Sequence, residues 1–488
     1  MRRERSGWRT REALFREAWR EATGRVGFPR YPEKARVAIE SVQSQLAYIL
    51  VERAGPALQP GARSYARSWI RDGALTASAL LRLGHPETVA EFIEWYAPHQ
   101  YANGKIPCVV DHRGADPVPE HDSNGEFIFL VAEYIRYTGD TGLAERMWPR
   151  IEGAAAYLDS LRRERRTPEY RAPDKIEFFG ILPPSISHEG YSAKPMHSYW
   201  DDFFALRGFR DAVFLAEYLG REEAAGHHAA IRDEFALDLV ASVRAAMERH
   251  GIDYVPGCAD LGDFDATSTT IALAPTGAAD ILPRVAVERT FEKYYEFFRA
   301  RRDWAPWDAF TPYEVRNIGA FVRLGWRDRV EELMDFFLAH QRPPGWRQWA
   351  EVVGSEPRAP RFLGDMPHSW VGSDYIRSVL DMFAYERSSD GALVVAAGVP
   401  LSWIRGTGLT IRDLRTTYGA LSLHLDTRGD AILVRLEGDL RVPPGGILLA
   451  PPLVRPVGTA TVNGVHVPPN PAGEIPVTGL PADVLIEP

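Results

Sequence analysis

Between about residue 36 and about residue 386, apolar positions recur three and four residues apart in segment after segment, with Gly and Pro punctuating them. That period is helical and predicts about twelve amphipathic helices. The first six run from Val37 to Val51, Asp72 to Leu83, Glu87 to Tyr96, Ser123 to Tyr137, Leu143 to Leu161 and Asp202 to Leu219. The other six run from Glu222 to Arg249, Thr267 to Leu273, Pro283 to Arg299, Pro312 to Leu324, Arg327 to His340 and Ser369 to Tyr385. In Ser123 to Tyr137, Phe127, Leu130, Val131 and Tyr134 share one face, which predicts a single buried stripe. Helices paired as hairpins over this length suit a toroid of six hairpins, whose loops at one end gather residues distant in sequence. The chain therefore reads as mainly α.

After Tyr385 the period shortens. Ala392 to Ala396, Leu421 to Leu425 and Ala431 to Leu436 are short apolar or alternating runs separated by Gly, Pro and Asp, which predicts an antiparallel β-domain. Asn463-Gly464 marks a tight hairpin. The expected division is an N-terminal extension (1–35), the helical toroid (36–386) and a smaller C-terminal β-domain (387–488). Neither an internal sequence repeat nor a low-complexity tract interrupts it.

At 488 residues, with 45% hydrophobic and 25% charged positions, the chain has ordinary globular proportions and room for two or three domains. Its net charge of -9 is spread over interspersed signs, so a nucleic-acid partner is not expected. No stretch approaches the uninterrupted apolar length of a membrane span, so no membrane partner is expected either. The two cysteines, Cys108 and Cys258, lack the C-x-x-C and Cys/His spacings of zinc or redox sites, and neither a metal nor a structural disulfide is expected. Met1-Arg2-Arg3-Glu4-Arg5 is charged but leads into no apolar segment, which suggests a cytoplasmic chain, or a secreted or periplasmic one if a leader was removed. Oligomeric state is left open.

Against this background, four clusters join aromatic side chains to polar ones: Trp69-Ile70-Arg71-Asp72, Trp200-Asp201-Asp202, Trp349-Ala350-Glu351 and His368-Ser369-Trp370. Aromatic faces stack on the C–H faces of sugars, charged forks bind hydroxyls, and two separated carboxyls cleave glycosidic bonds. A carbohydrate is the expected partner. Asp201, early in a helix and beside aromatic walls, is a candidate general acid whose pKa desolvation would raise. Asp202 has the same setting, and either aspartate could instead cap the helix or complement its dipole. Glu351 is the candidate base, provided the toroid closes. Arg71 and Asp72 read as a hydroxyl clamp or as a helix-capping pair. Trp69, Trp200 and Trp370 are candidate ring-facing walls, though Trp is also a common core residue. Asp122, in the polar cluster Glu120-His121-Asp122-Ser123-Asn124-Gly125-Glu126, is a site-lining or capping residue. His188-Glu189-Gly190-Tyr191, after two prolines, has the look of a rigid site loop. Asp260, Asp263 and Asp265 have oxygen-ligand character without the spacing of a calcium loop.

At these residues the chain resembles the six-hairpin (α/α)6 toroid glycoside hydrolases, most closely the glucoamylase-like family 15 and its clan relatives. Ser68-Trp69-Ile70-Arg71-Asp72-Gly73 is similar to the family's sugar clamp. Trp200-Asp201-Asp202 is similar to its Trp-Glu-Glu acid motif with Asp for Glu, a replacement also found in trehalase-like and family 63 relatives. Trp349-Ala350-Glu351, ending at His368-Ser369-Trp370, is similar to its base motif. The β-domain resembles the C-terminal sandwich of rhamnosidase-type toroid enzymes. The resemblance implies an inverting, exo-acting glycosidase of α-linked glycosides or oligosaccharides that needs no cofactor, with Asp201 as acid and Glu351 as base roughly 6.5–9.5 Å apart. The alternatives are a toroid phosphorylase or lyase, and a non-catalytic sugar-binding protein.

Overall fold

Connection lengths decide the architecture. The computed structural model describes residues 2–188, 190–453 and 457–487, with side chains from residue 12 onward. α1 (Arg2–Thr23) leads into β1 (Gly27–Arg30), and twelve helices follow as six hairpin pairs. These are α2 (Glu33–Glu52) with α3 (Ile70–Arg82), α4 (Pro86–Tyr96) with α5 (Asp122–Thr138), and α6 (Thr141–Arg165) with α7 (Tyr199–Tyr218). Next come α8 (Glu222–His250) with α9 (Ala266–Leu273), α10 (Arg284–Asp303) with α11 (Arg316–Arg323), and α12 (Arg327–Ala339) with α13 (Ser369–Phe383). The second member of each pair belongs to an inner ring: α3 packs on α5, α5 on α7, α7 on α9, α9 on α11, α11 on α13, and α13 on α3 again. The toroid is closed.

Passages from an inner helix to the next outer one are mostly short turns, such as 83–85 and 139–140, where Gly84 (φ 83°) and Gly139 (φ 68°) take left-handed conformations. Passages from outer to inner helices are long: 53–69, 97–121, 166–198, 251–265, 304–315 and 340–368. All six long loops therefore meet at the N-terminal end of the inner ring. Two small sheets brace them. β2 (Ser68–Trp69), β3 (Val109–Asp111) and β4 (Gly114–Ala115) form one, and β5 (Ala309–Phe310) with β6 (Val353–Gly354) the other.

The single stripe expected on α5 is an underestimate. Residues 122–132 are all buried, because an inner helix is enclosed by the toroid axis, two inner neighbours and the outer ring at once. The segment expected to be helical from Pro312 begins as a 3₁₀ turn (Pro312–Val315) before α11.

β7 (Ala384–Arg387) follows α13 without a linker, and then come β8 (Ala392–Val395) and the short α14 (Leu401–Ile404). Three longer strands follow, β9 (Leu409–Thr416), β10 (Gly419–Arg428) and β11 (Ala431–Leu440), and then β12 (Ile447–Leu449). The last four are β13 (Thr459–Val462), β14 (Val465–His466), β15 (Ile475–Val477) and β16 (Ala482–Glu487). One sheet has the order β1-β9-β10-β11-β16-β13-β14 and the other β15-β12-β8-β7. Leu421, Leu423 and Leu425 alternate inward on β10, and Leu423 and Leu425 pair with Leu436 and Val434 of β11. Asn463 (φ 50°) and Gly464 (φ 78°) form the expected tight hairpin. Two features depart from a simple C-terminal antiparallel domain. β8 and β12 pair in parallel, which the long excursion through β9, β10 and β11 permits, and β1 supplies the edge of the larger sheet by pairing with β9. Among the described residues, no helix is long and apolar enough to cross a membrane.

Candidate active site

The long loops and the helix starts beneath them bring a cluster of polar side chains together in an apolar frame. On the α3 side, β2 delivers Trp69 and the first turn delivers Arg71 and Asp72. The Arg71 guanidinium is buried and donates to Glu120 Oε2 at 2.5 Å and to Asp122 Oδ2 at 3.4 Å, with Asp72 Oδ2 3.7 Å from its Nε. Burial alone would lower its pKa, but Glu120, Asp122 and Asp72 outweigh burial and raise it. It also lies 5.1 Å from the centre of the Trp370 ring.

Asp122 joins α5 to α7, its Oδ2 accepting the indole N–H of Trp200 at 2.9 Å. Trp200 is 2% exposed and carries the His188 imidazole stacked on it at 4.8 Å. It is a buried floor beneath His188. Asp201 next to it accepts the Ser185 hydroxyl at Oδ2 (2.5 Å) and the Ser187 hydroxyl at Oδ1 (2.7 Å). Burial first, then the charge of Asp122, pushes the Asp201 carboxyl well above the usual range despite the two serines, which favour ionisation. Asp202 faces elsewhere: it accepts the backbone N–H of Leu182 at 3.0 Å, and burial pushes it up to about 8. Its place is behind the loop that carries Ser185, not against the Arg71 cluster.

The opposite wall is the 340–368 loop. Val353 and Phe310 pair across the β5–β6 ladder, and the His368 N–H donates to Trp349 O at 3.2 Å, so Glu351 is fixed from both sides. The Tyr313 hydroxyl donates to Glu351 Oε1 at 3.1 Å and the Tyr65 hydroxyl to Oε2. Tyr313 packs on Trp370 at 4.5 Å, and Arg316 lies over Trp370, Tyr313 and Trp200 at 4.7, 5.0 and 5.4 Å. A continuous path of contacts thus joins Trp200, beside Asp201, to Asp122, Arg71, Trp370, Tyr313 and Glu351.

Every site residue expected from the sequence except Asp202 lies on this path or, like Asp72 and Trp69, directly beside it; Trp69 meets Tyr65 edge-on at 5.8 Å. Glu189, from the expected site loop, lies outside the described residues. The three aspartates with oxygen-ligand character diverge: Asp260 holds His197, Asp263 accepts from Tyr191 and Cys258, and Asp265 caps α9. Among the described residues, no group of three or more His, Cys, Asp or Glu side chains is placed to hold a metal, and Cys108 and Cys258 are buried free thiols. Sequence reasoning missed Tyr65, Tyr313 and Arg316, whereas Glu126 closes the polar cluster read from the sequence. Glu126, one turn after Asp122, is fully buried, and neither of its oxygens has a hydrogen-bond partner among the described residues. Burial, then Asp122, holds it well above the usual carboxyl range.

No protein-family model matches the chain, and no curated protein matches it in sequence. Solved structures do. The chain is similar in fold to α-L-rhamnosidases. The enzyme from Dictyoglumus thermophilum aligns with a TM-score of 0.61 at 12% identity, over 95% of this chain and 50% of that one. The GH78-family rhamnosidase of Bacillus sp. GL1 gives 0.61 at 15% identity over 88% and 43%, and the Streptomyces avermitilis α-L-rhamnosidase complexed with L-rhamnose gives 0.57 at 12% over 95% and 42%. The chain spans half or less of these proteins' length. At such identities the likeness shows the fold, a six-hairpin toroid followed by β-sheets; it does not show membership of the glucoamylase-like family.

Proposed function

We propose that the protein is an inverting glycoside hydrolase acting from the end of an α-linked glycoside or oligosaccharide, with α-L-rhamnosides the first class to try. The observation that carries this reading is the placing, at one end of the toroid, of the buried Asp201 carboxyl, held by two serine hydroxyls, and of the Glu351 carboxyl, held by two tyrosine hydroxyls. Asp201 is the acid: burial favours its neutral form, the form a general acid needs before it acts. Ser187 Oγ lies 2.7 Å from Asp201 Oδ1 and 3.1 Å from His188 Nδ1, so the serine links the acid to the imidazole beside it. Glu351 is the base that takes a proton from the attacking water. Arg71 and Asp72 clamp the terminal sugar between Trp69 and Trp370. The rhamnosidase fold, shared over most of this chain, supports the reaction class, and the L-rhamnose in one of those structures supports the choice of first substrate.

The test is a panel of aryl glycosides and oligosaccharides, starting with aryl α-L-rhamnosides, with NMR of the first-formed anomer. The β-anomer is expected first. Asp201→Asn and Glu351→Gln should each lower turnover by about 10²- to 10⁴-fold with the fold intact. Retention of configuration, cleavage that requires phosphate, or binding without products would each overturn the proposal.

A further inference from the structure

At the other end of the toroid, where the inner helices finish against the β-domain, lies a cavity of about 310 Å³ lined by seven arginines and four carboxylates. The carboxylates are already committed. Asp381 accepts from Arg82 at 2.6 Å and from Arg323 at 2.8 Å, and Asp211 from Arg136 at 2.5 Å and Arg207 at 2.6 Å. Glu386 accepts the N–H and hydroxyl of Thr417. Glu133 stands 3.5 Å from Arg207 and 3.8 Å from Arg136, and burial raises its pKa, favouring the neutral form. One arginine, Arg387, is engaged by Asp390 and Glu474.

Two cations are left short of counter-charge. Arg377 has Asp374 at 3.1 Å, but that carboxylate also takes Arg316 at 2.6 Å. Arg210 makes no ion pair among the described residues; its Nη1 donates to the carbonyl of Thr276 at 3.1 Å. Burial, and then the charge of Arg207, disfavours its charged form more than the charges of Asp280 and Asp211 favour it, yet a guanidinium does not give up its proton in a protein. The backbone comes close here because residue 277 is glycine at φ 65°; a Cβ would sit 2.9 Å from Ser388 Oγ and 3.3 Å from Arg210 Nη1. Partly buried guanidinium forks lining a cavity of this size are the chemistry that takes a tetrahedral oxyanion.

We infer that this cavity is a second site, separate from the proposed sugar site, that binds a phosphate-class anion through Arg210 and Arg377, either free phosphate or a small phosphomonoester. The volume accommodates both. The experiment titrates the full chain with inorganic phosphate and, separately, with ribose 5-phosphate, at an ionic strength held constant with chloride, and reads calorimetric binding and melting temperature. Saturable binding and a rise in melting temperature beyond that in chloride are expected, with Arg210→Gln and Arg377→Gln each weakening binding at least tenfold. Should Arg210→Gln fail to fold, Arg210→Lys keeps the charge, loses the fork and should still bind more weakly. Tighter binding of the ester assigns a phosphomonoester, and equal or weaker binding assigns free phosphate. Phosphate indistinguishable from chloride, or unchanged binding in a folded Arg210 variant, overturns the inference. So does loss of phosphate binding in Glu351→Gln, which would move the anion to the sugar-facing end.

Discussion

Burial lifts the carboxyls of Asp201, Asp202 and Glu126 above their ordinary range, and that gives single residues measurable pH signatures. Asp202 is the cleanest case, since burial lifts it to about 8 while its unfolded value is near 3.9. Between those values the native state keeps a proton that the unfolded chain has lost, so stability falls as pH rises, by on the order of 1 kcal/mol per pH unit. Asp202→Asn has the shape of the neutral acid and still accepts from Leu182. Urea unfolding should find it more stable than wild type at pH 8, with the difference vanishing near pH 4; a difference independent of pH would mean that Asp202 is ionised in the fold. Glu351 gives a kinetic counterpart. Tyr313→Phe removes a hydroxyl that donates to its carboxylate and so favours the form a base needs. The acid limb of the kcat/KM profile should move to higher pH, and an unshifted limb would remove Tyr313 from the base's environment. The sequence showed Arg71, Asp72, Asp201 and Glu351 because carboxylates and arginines near tryptophan stand out, and it hid Arg316, which has Val315 and Asn317 beside it. It could not show Ser185 and Ser187, whose hydroxyls matter only because a folded loop aims them at Asp201, nor Tyr65 and Tyr313, which look like any core aromatic.

Elements were legible where the period was long. All twelve expected helical segments correspond to α2 through α13, with boundaries displaced by a few residues at caps that lack side-chain signals, as at Pro32 before α2. Which member of each hairpin faces the axis was not legible, because that depends on connection lengths and on a stripe that widens to the whole circumference in the inner ring. α1 and β1 escaped notice: a four-residue strand containing proline carries little pattern of its own, and β1 exists through pairing with β9, which begins almost 400 positions later. The glycines of α5 and α7 show how closely the inner helices depend on one another. A Cβ on Gly125 would lie 2.1 Å from the carbonyl oxygen of Phe204, and one on Gly208 would lie 2.9 Å from Gly125 Cα. This close approach sets the spacing across which Trp200 reaches Asp122. Gly125→Ala should therefore cost about 1–3 kcal/mol of stability. It should also slow turnover in the protein that still folds, because the helices must part beneath the Trp200–Asp122 hydrogen bond. A variant of wild-type stability and rate would show that α5 and α7 can separate freely.

Over the whole molecule the two architectures share one interior. The buried apolar cluster runs from Val26 and Phe28 through all six inner helices to Ile432 and Ile486 in the β-sheets, and Phe28 packs on Phe383 at 5.7 Å. Polar contacts reinforce the join. Arg327, at the start of α12, donates to the carbonyls of Ala396, Ala397 and Ala450 at 3.0, 2.9 and 2.9 Å and also to that of Pro451, and burial lowers its guanidinium to about 10. A domain border drawn at residue 387 therefore cuts through a continuous core, and unfolding either side exposes apolar surface on the other. Scanning calorimetry of the full chain should give one endotherm. Arg327→Ala takes a donor from four carbonyls, leaving Ala396 and Pro451 with the backbone N–H groups of Val399 and Leu453, and should cost about 2 kcal/mol, moving that endotherm down without splitting it. Two resolved transitions in the wild type, or an Arg327→Ala scan in which a helical transition shifts and a β transition stays in place, would show that the toroid and the sheets are thermodynamically separate.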